Sequence, residues 1–262
     1  MTLFEAVILG IIQGLTEFIP VSSSGHLALG QILFGLEQDG LLFEMVVHIG
    51  TLIPVVIIFW KDIWAIIRRP FQKMTLLLII GTIPVVIVGL LLEDIVGNAF
   101  TSLMWLAVGF VITGVTLMFA DRIRNNKKKS EDITILDAAI VGIAQAIAIF
   151  PGISRSGSTV MAALGRGIER EAAAKFSFLL SIPVVLGATV LQVVHLIRDD
   201  GHIYATNVDF WPLALAFVAA MLSGYLAIKL MLMAIKKAKL RYFAYYVLIL
   251  AVAIVVGMVI FN

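Results

Sequence analysis

The 262-residue chain has no cysteine and little charge, with only 14% of its residues Asp, Glu, Lys or Arg. Without cysteine there is no disulfide framework, no thiolate metal site and no cysteine nucleophile. The scarcity of charge excludes a water-soluble globular domain, because such domains carry about 25% charged residues. The formal net charge is only +2, so nothing points to nucleic acid as a partner. Walker loops, HExxH pairs and GxSxG elbows are also missing, which leaves nucleotide hydrolysis, zinc proteolysis and α/β-hydrolase chemistry without local support.

What the chain has instead is apolar sequence: 61% of it is hydrophobic and its mean hydropathy is +1.07. That excess requires a bilayer as solvent. Six windows are long enough to cross one as helices, at about 44–60, 74–92, 101–120, 176–197, 210–228 and 242–261. Two further apolar stretches, 2–36 and 133–165, are interrupted by Pro20-Val-Ser-Ser-Ser-Gly25 and by Pro151-Gly-Ile-Ser-Arg-Ser-Gly157. The first stretch is not read as a signal peptide, since it lacks a basic leader and carries Glu5, Gln13 and Glu17.

Of the 19 cations, 17 fall in four clusters, Lys61–Lys73, Arg122–Lys129, Arg166–Lys175 and Lys229–Arg241. Lys and Arg near span ends accumulate on the cytoplasmic side. All four clusters reach that side only if each interrupted stretch enters and leaves the membrane on one face. The expected fold is therefore an all-α polytopic membrane protein of six transmembrane helices plus two re-entrant helical hairpins. It forms a single membrane domain of two inverted-topology repeats, about 1–120 and 133–262, joined by a cytoplasmic linker at 121–132. Both termini are expected to be extracytoplasmic. Sequence similarity supports the repeat independently: 132 residues separate Gly10 from Gly142, Gln13 from Gln145, Phe18 from Phe150, Ser22 from Ser154, Ser24 from Ser156 and Gly25 from Gly157. Inverted repeats with broken helices place a site near the midplane, where the hairpins meet.

Irregular backbone survives at membrane depth only where it lines a polar cavity or is packed in protein. The first break supplies Gln13, Glu17, Ser22, Ser23, Ser24 and His26, and the second supplies Ser154, Arg155, Ser156, Gly157, Ser158 and Thr159. Arg155 is the most informative of these. A buried arginine cannot deprotonate, so it needs a partner or an anionic ligand. Glu17 would satisfy it as a salt bridge, but the hydroxyls and glycines around it at a helix start suit phosphate oxygens better. His26 follows three serines and so places a base near candidate nucleophiles. His48, His195 and His202 read as structural. Gly10 and Gly14 form a GxxxG pair expected to pack within the chain. The prolines at 54, 84 and 183 read as helix kinks, and Trp60, Trp64, Trp105, Trp211 and Tyr242 as interfacial anchors.

The motif Gln13-Gly-Leu-Thr-Glu17 with Phe-Ile-Pro-Val-Ser-Ser-Ser-Gly-His26, and then Pro151-Gly-Ile-Ser-Arg-Ser-Gly-Ser-Thr159, resembles the two signatures of the bacterial undecaprenyl-diphosphate phosphatases, the bacitracin-resistance family. The resemblance spans the whole chain. It implies hydrolysis of undecaprenyl diphosphate to the monophosphate carrier that cell-wall synthesis reuses, in a bacterial plasma membrane, with the active site opening extracytoplasmically. It also implies that Glu17, Ser23, His26, Arg155 and Thr159 lie at the active centre. Glu17, Ser23, His26 and Arg155 are the expected catalytic set, with Gln13, Ser22, Ser24, Ser154, Ser156, Gly157 and Thr159 binding substrate. The family is described as needing a divalent cation, usually magnesium or calcium, for which Glu17 is the expected ligand. The expected partners are the polyprenyl diphosphate lipid and the bilayer; oligomeric state stays open, a homodimer included. The rival expectation is a transporter or flippase of a polyprenyl phosphate lipid, which the same architecture would serve.

Overall fold

A computed structural model describes residues 1–36, 41–123, 126–198, 209–237 and 239–261. The described chain is helical throughout: α1 (Leu3–Phe18), α2 (Ser23–Leu33), α3 (Leu41–Ile58), α4 (Trp60–Arg68), α5 (Lys73–Leu91), α6 (Glu93–Phe100), α7 (Leu103–Arg122), α8 (Ile135–Ile147), α9 (Arg155–Gly165), α10 (Arg170–Arg198), α11 (Phe210–Lys236) and α12 (Arg241–Phe261), with a 3-10 turn at Ser130–Asp132. Five described helices, α5, α7, α10, α11 and α12, are long and apolar enough to cross a membrane, and the pair α3 and α4 makes a sixth candidate bent by 87°. All six windows expected from the sequence are helices. Pro54, Pro84 and Pro183 lie inside α3, α5 and α10, which continue past them.

The interrupted stretches are helical hairpins, α1 with α2 and α8 with α9. The helices start where local chemistry satisfies their free amides. Thr2 with Glu5, and Thr134 with Asp137, form capping boxes at the starts of α1 and α8. Ser22 and Ser154 cap α2 and α9 and accept from the amides of Gly25 and Gly157. Both pairs of caps are 132 residues apart.

Packing follows the same correspondence. The first helix of each hairpin packs chiefly on the middle span of the other half, α1 on α11 and α8 on α5, while α7 packs on α12. Small residues permit the close approach. A Cβ on Gly10 would lie 2.5 Å from the Ala216 carbonyl of α11, and one on Gly142 would lie 2.6 Å from the Gly81 carbonyl of α5. The GxxxG pair is thus an intrachain packing device, as expected. The largest core cluster gathers Phe18, Phe59, Phe176 and Phe178 between the hairpins and α10, and Phe18 meets Phe178 edge to face at 5.6 Å. Outward-facing positions carry large aliphatics such as Ile79, Leu222, Ile249 and Val259, a distribution suited to hydrocarbon solvent.

Two elements differ from expectation. α4 runs into the cationic cluster Lys61–Lys73, and α6 lies between the windows at 74–92 and 101–120, where no helix is expected. Both are too short for an apolar window to reveal. α4 forms because its polar and apolar residues segregate onto opposite faces, and α6 because Glu93 and Asp94 lie at the favourable end of its dipole. His202 and the side chains of His195 and Arg198 lie outside the described residues.

Candidate active site

The two interhelical loops meet at one carboxylate. Glu17, in the last turn of α1, is 5% exposed. Its Oε2 accepts from Ser23 Oγ at 2.5 Å and from Gln13 Nε2 at 3.0 Å. Its Oε1 pairs with Arg155 Nη2 of the second loop. Ser23 and Arg155 occupy corresponding positions, each the first residue of its helix, so the N-termini of α2 and α9 point at the same place. A helix N-terminus offers free amides and partial positive charge, and two of them beside an arginine make an anion cradle.

The loops themselves are held tightly. Ser22 Oγ lies 3.3 Å from Ser24 Oγ, and Ser154 Oγ lies 3.3 Å from Ser156 Oγ. Ser22 has φ of 70°, the sole positive φ outside glycine among the described residues. Such strain persists only where the surroundings impose it and gathers at functional sites. Gly152, at φ 81°, lets the second loop lie against α7: a Cβ there would come within 2.9 Å of the Phe110 nitrogen. Thr113 of α7 donates to the Gly152 carbonyl and accepts from the Ser154 amide, both at 2.8 Å.

A cavity of about 200 Å³ opens at this junction. Glu17, Ser22, Ser23, Ser24, Ser154 and Arg155 line it. Apolar side chains form another wall: Val85 of α5, Ile149, and Val184, Val185 and Ala188 of α10, with Phe100 of α6 also at the lining.

The remaining expected site residues stand behind this surface and do not line it. Gln13 is fully buried and orients Glu17. The Gly157 amide caps onto Ser154 Oγ at 3.1 Å, and Ser156 Oγ reaches the Ile19 carbonyl at 3.4 Å, joining the loops. Thr159 faces α10, where its hydroxyl meets Ser177 Oγ at 2.6 Å, and Ser158 is buried. His26 also points away from the cavity. Its Nδ1 donates to the Ser22 carbonyl at 2.7 Å, so in the neutral ring Nε2 accepts from Tyr246 Oη at 2.8 Å. The ring stacks on Tyr246 and meets Phe110 edge-on. Both its ring nitrogens are engaged, by the Ser22 carbonyl and by Tyr246 of α12, while the Ser23 hydroxyl donates to Glu17 and not to His26.

Among the polar cavity residues that escape a motif-based reading are Glu44, His48 and Gln145. His48 Nδ1 donates to the Glu44 carbonyl at 2.8 Å, and its Nε2 lies 3.7 Å from Glu17 Oε2. It is a cavity histidine, not the structural one the sequence suggests. The available signal is that Glu44 and His48 are ionisable residues four apart within an apolar span, hence on one helix face.

For a divalent cation, the cavity offers the carboxylates of Glu17 and Glu44, while the described residues hold no cluster of three side chains able to bind a metal. This donor set is too small for an all-protein cage. It suits an ion that completes its shell with phosphate oxygens and water, as magnesium commonly does.

Comparison with known proteins agrees with this chemistry. The family described as bacitracin resistance protein BacA matches residues 6–253. An undecaprenyl-diphosphatase of Carboxydothermus hydrogenoformans is 50% identical over 256 residues, covering 98% of this chain and 97% of that protein. Undecaprenyl-diphosphatase 3 of Bacillus cereus is 46% identical over 247 residues, 94% of each chain, and an undecaprenyl-diphosphatase of Halothermothrix orenii is 42% identical over 258 residues, 98% of each. With its two serine-rich loops closing on one carboxylate and a match running through nearly its whole length, the chain belongs to the bacitracin-resistance family.

Proposed function

We infer that this protein hydrolyses undecaprenyl diphosphate to undecaprenyl phosphate and inorganic phosphate, recycling the lipid carrier. The observation that carries the reading is the joint hold of Ser23 and Arg155 on Glu17, between two helix N-termini. It brings a nucleophile, a base and a fixed positive charge within a few ångströms of one another.

In this mechanism the terminal phosphoryl group settles between the starts of α2 and α9. Arg155 turns from Glu17 to the phosphate oxygens, and the Ser22, Ser24 and Ser154 hydroxyls complete the cradle. Ser23 Oγ attacks the terminal phosphorus while Glu17 takes its proton. The bond from phosphorus to the bridging oxygen breaks, and undecaprenyl phosphate departs. Water then cleaves the phosphoserine, which releases phosphate and restores Ser23. His26 holds the Ser22 carbonyl and so positions the start of α2; this differs from the base role its place in the motif suggests. A magnesium or calcium ion would be held by Glu17 and Glu44 and would neutralise diphosphate charge. The cavity of about 200 Å³ would take the phosphates, and the apolar wall of α5 and α10 would receive the start of the tail.

The finer architecture belongs to the same proposal: six spans and two re-entrant hairpins in inverted repeats. The matched caps at an offset of 132 residues and the reciprocal packing of α1 on α11 and α8 on α5 support it. Lining residues come from the beginning of α3 and the later parts of α5 and α10, at the end away from the cationic connections. By the positive-inside rule the cavity then opens extracytoplasmically, as do both termini.

The test is phosphate release from undecaprenyl diphosphate by the purified protein in detergent. Turnover that disappears in Arg155→Ala and in Ser23→Ala is the expected result. Lipid translocation in vesicles without phosphate release would instead favour the carrier reading that the paired hairpins also suit.

A further inference from the structure

α4 shares no role with the cavity. None of its residues is fully buried, and it turns 87° from α3 at the end opposite Glu44 and His48. Ile63 and Ile66 rest on the core cluster. A second stripe, Trp60, Trp64 and Ile67, faces outward, spaced to share one helix face. The two indoles stack at 5.6 Å, and Phe71, just beyond the helix, is fully exposed.

Charge borders this aromatic stripe on one side. Lys61 and Arg68 follow Trp60 and Trp64 around the helix, and Arg69 is exposed beyond them. The Arg68 guanidinium lies 4.9 Å over the Trp64 ring, which holds it at the rim of the apolar face. The helix's one carboxylate, Asp62, is engaged by Lys175 of α10 at 2.6 Å, so it neither reaches nor neutralises the cationic edge. An apolar aromatic face edged by cations is the pattern of a helix lying in the plane of a bilayer surface.

We propose that α4 is a docking surface for anionic glycerophospholipids, with Trp60, Trp64, Ile67 and Phe71 among the upper acyl chains and Lys61, Arg68 and Arg69 on the headgroup phosphates. Each cation near such a surface favours an anionic lipid by about fivefold. The tryptophans make this measurable. The full-length protein, with Trp105 and Trp211 changed to Phe, is reconstituted in phosphatidylcholine vesicles containing brominated phosphatidylglycerol or, at the same content, brominated phosphatidylcholine. Stronger quenching of Trp60 and Trp64 by the brominated phosphatidylglycerol is expected. The preference should fall about fivefold in Arg68→Gln and vanish in Lys61→Gln/Arg68→Gln/Arg69→Gln, with phosphate release in detergent unchanged. Equal quenching by the two lipids overturns the proposal, as does a preference that survives the triple substitution or is competed away by soluble glycerophosphate. Should the triple variant not fold, the lipid comparison on the otherwise unsubstituted chain and on Arg68→Gln still decides.

Discussion

The two serine loops make the same capping contacts with different backbone at the cap, φ 70° at Ser22 against −74° at Ser154, and different chemistry. Ser22 and Ser154 cap the same turn, Ser24 and Ser156 back them at the same distance, and Gly25 and Gly157 donate the same amide. At the next equivalent pair they diverge, with Ser23 in one and Arg155 in the other. The carboxylate that receives both, Glu17, belongs to the first loop alone; the residue 132 positions on is Ile149. Two similarly capped helix starts thus bring their first side chains to one carboxylate, and those side chains differ. In the proposed mechanism one loop brings nucleophile and base, and the other brings charge.

The largest expected effect removes the charge. Arg155→Ala should lower turnover about a thousandfold or more, since an arginine that stabilises a transferring phosphoryl group contributes about that much. Near-normal phosphate release would mean that the second loop is only a scaffold. Next is Glu17→Gln, which keeps the shape and removes the base. A loss of about a hundredfold to ten-thousandfold in kcat is expected, and an effect confined to KM would assign Glu17 to binding.

The two histidines sharpen the comparison between what lines the cavity and what supports it. Tyr246→Phe deletes one hydrogen bond to His26, worth about 1 kcal/mol, so it should slow turnover at most about fivefold, and the same substitution in a His26→Ala background should cause no further loss. His48→Ala should act additively with Tyr246→Phe, because its ring faces Glu17 from the other side. A double variant that falls outside additivity would show the two histidines working as one unit.

The smallest effect concerns the end of the second hairpin. Asp137, fully buried outside the long spans, pairs with Lys128 at 3.0 Å and Arg166 at 2.7 Å. Burial pushes its carboxyl upward, but the Thr134 amide, Lys128 and Arg166 outweigh it and hold the group well below the usual range. A carboxyl depressed in the fold stabilises fully at neutral pH, and that contribution erodes as pH falls below about 4, where the unfolded chain takes up its proton. Asp137→Asn should cost about 1–3 kcal/mol and flatten the acid limb of a melting-temperature profile. Glu5, its counterpart in the first hairpin, caps α1 at an exposed position, and Glu5→Gln should change the profile far less.

Much of this was legible without coordinates. The spans follow from apolar length and the hairpins from the Pro and Ser interruptions, because hydrocarbon admits so few backbone solutions. The serine loops and Arg155 announce themselves as polar residues with no other reason to be in the membrane. α4 and α6 escaped because short surface helices leave no long apolar window. His48 escaped because no motif marks it, its one signal being Glu44 four residues earlier in the same span, and His26 misled because nearness along a chain does not decide which partner a ring turns to.

Composition, periodicity and motif alone therefore determined a helical membrane protein with two broken segments and a phosphate-directed chemistry. Only the tertiary structure decided which of the polar groups face one another. Glu17 meets Arg155 across 138 positions of chain, and His26 turns to Tyr246 across 220. Contacts at such separations are set by how helices pack, through shapes and small residues spread over many elements, and no local pattern records them.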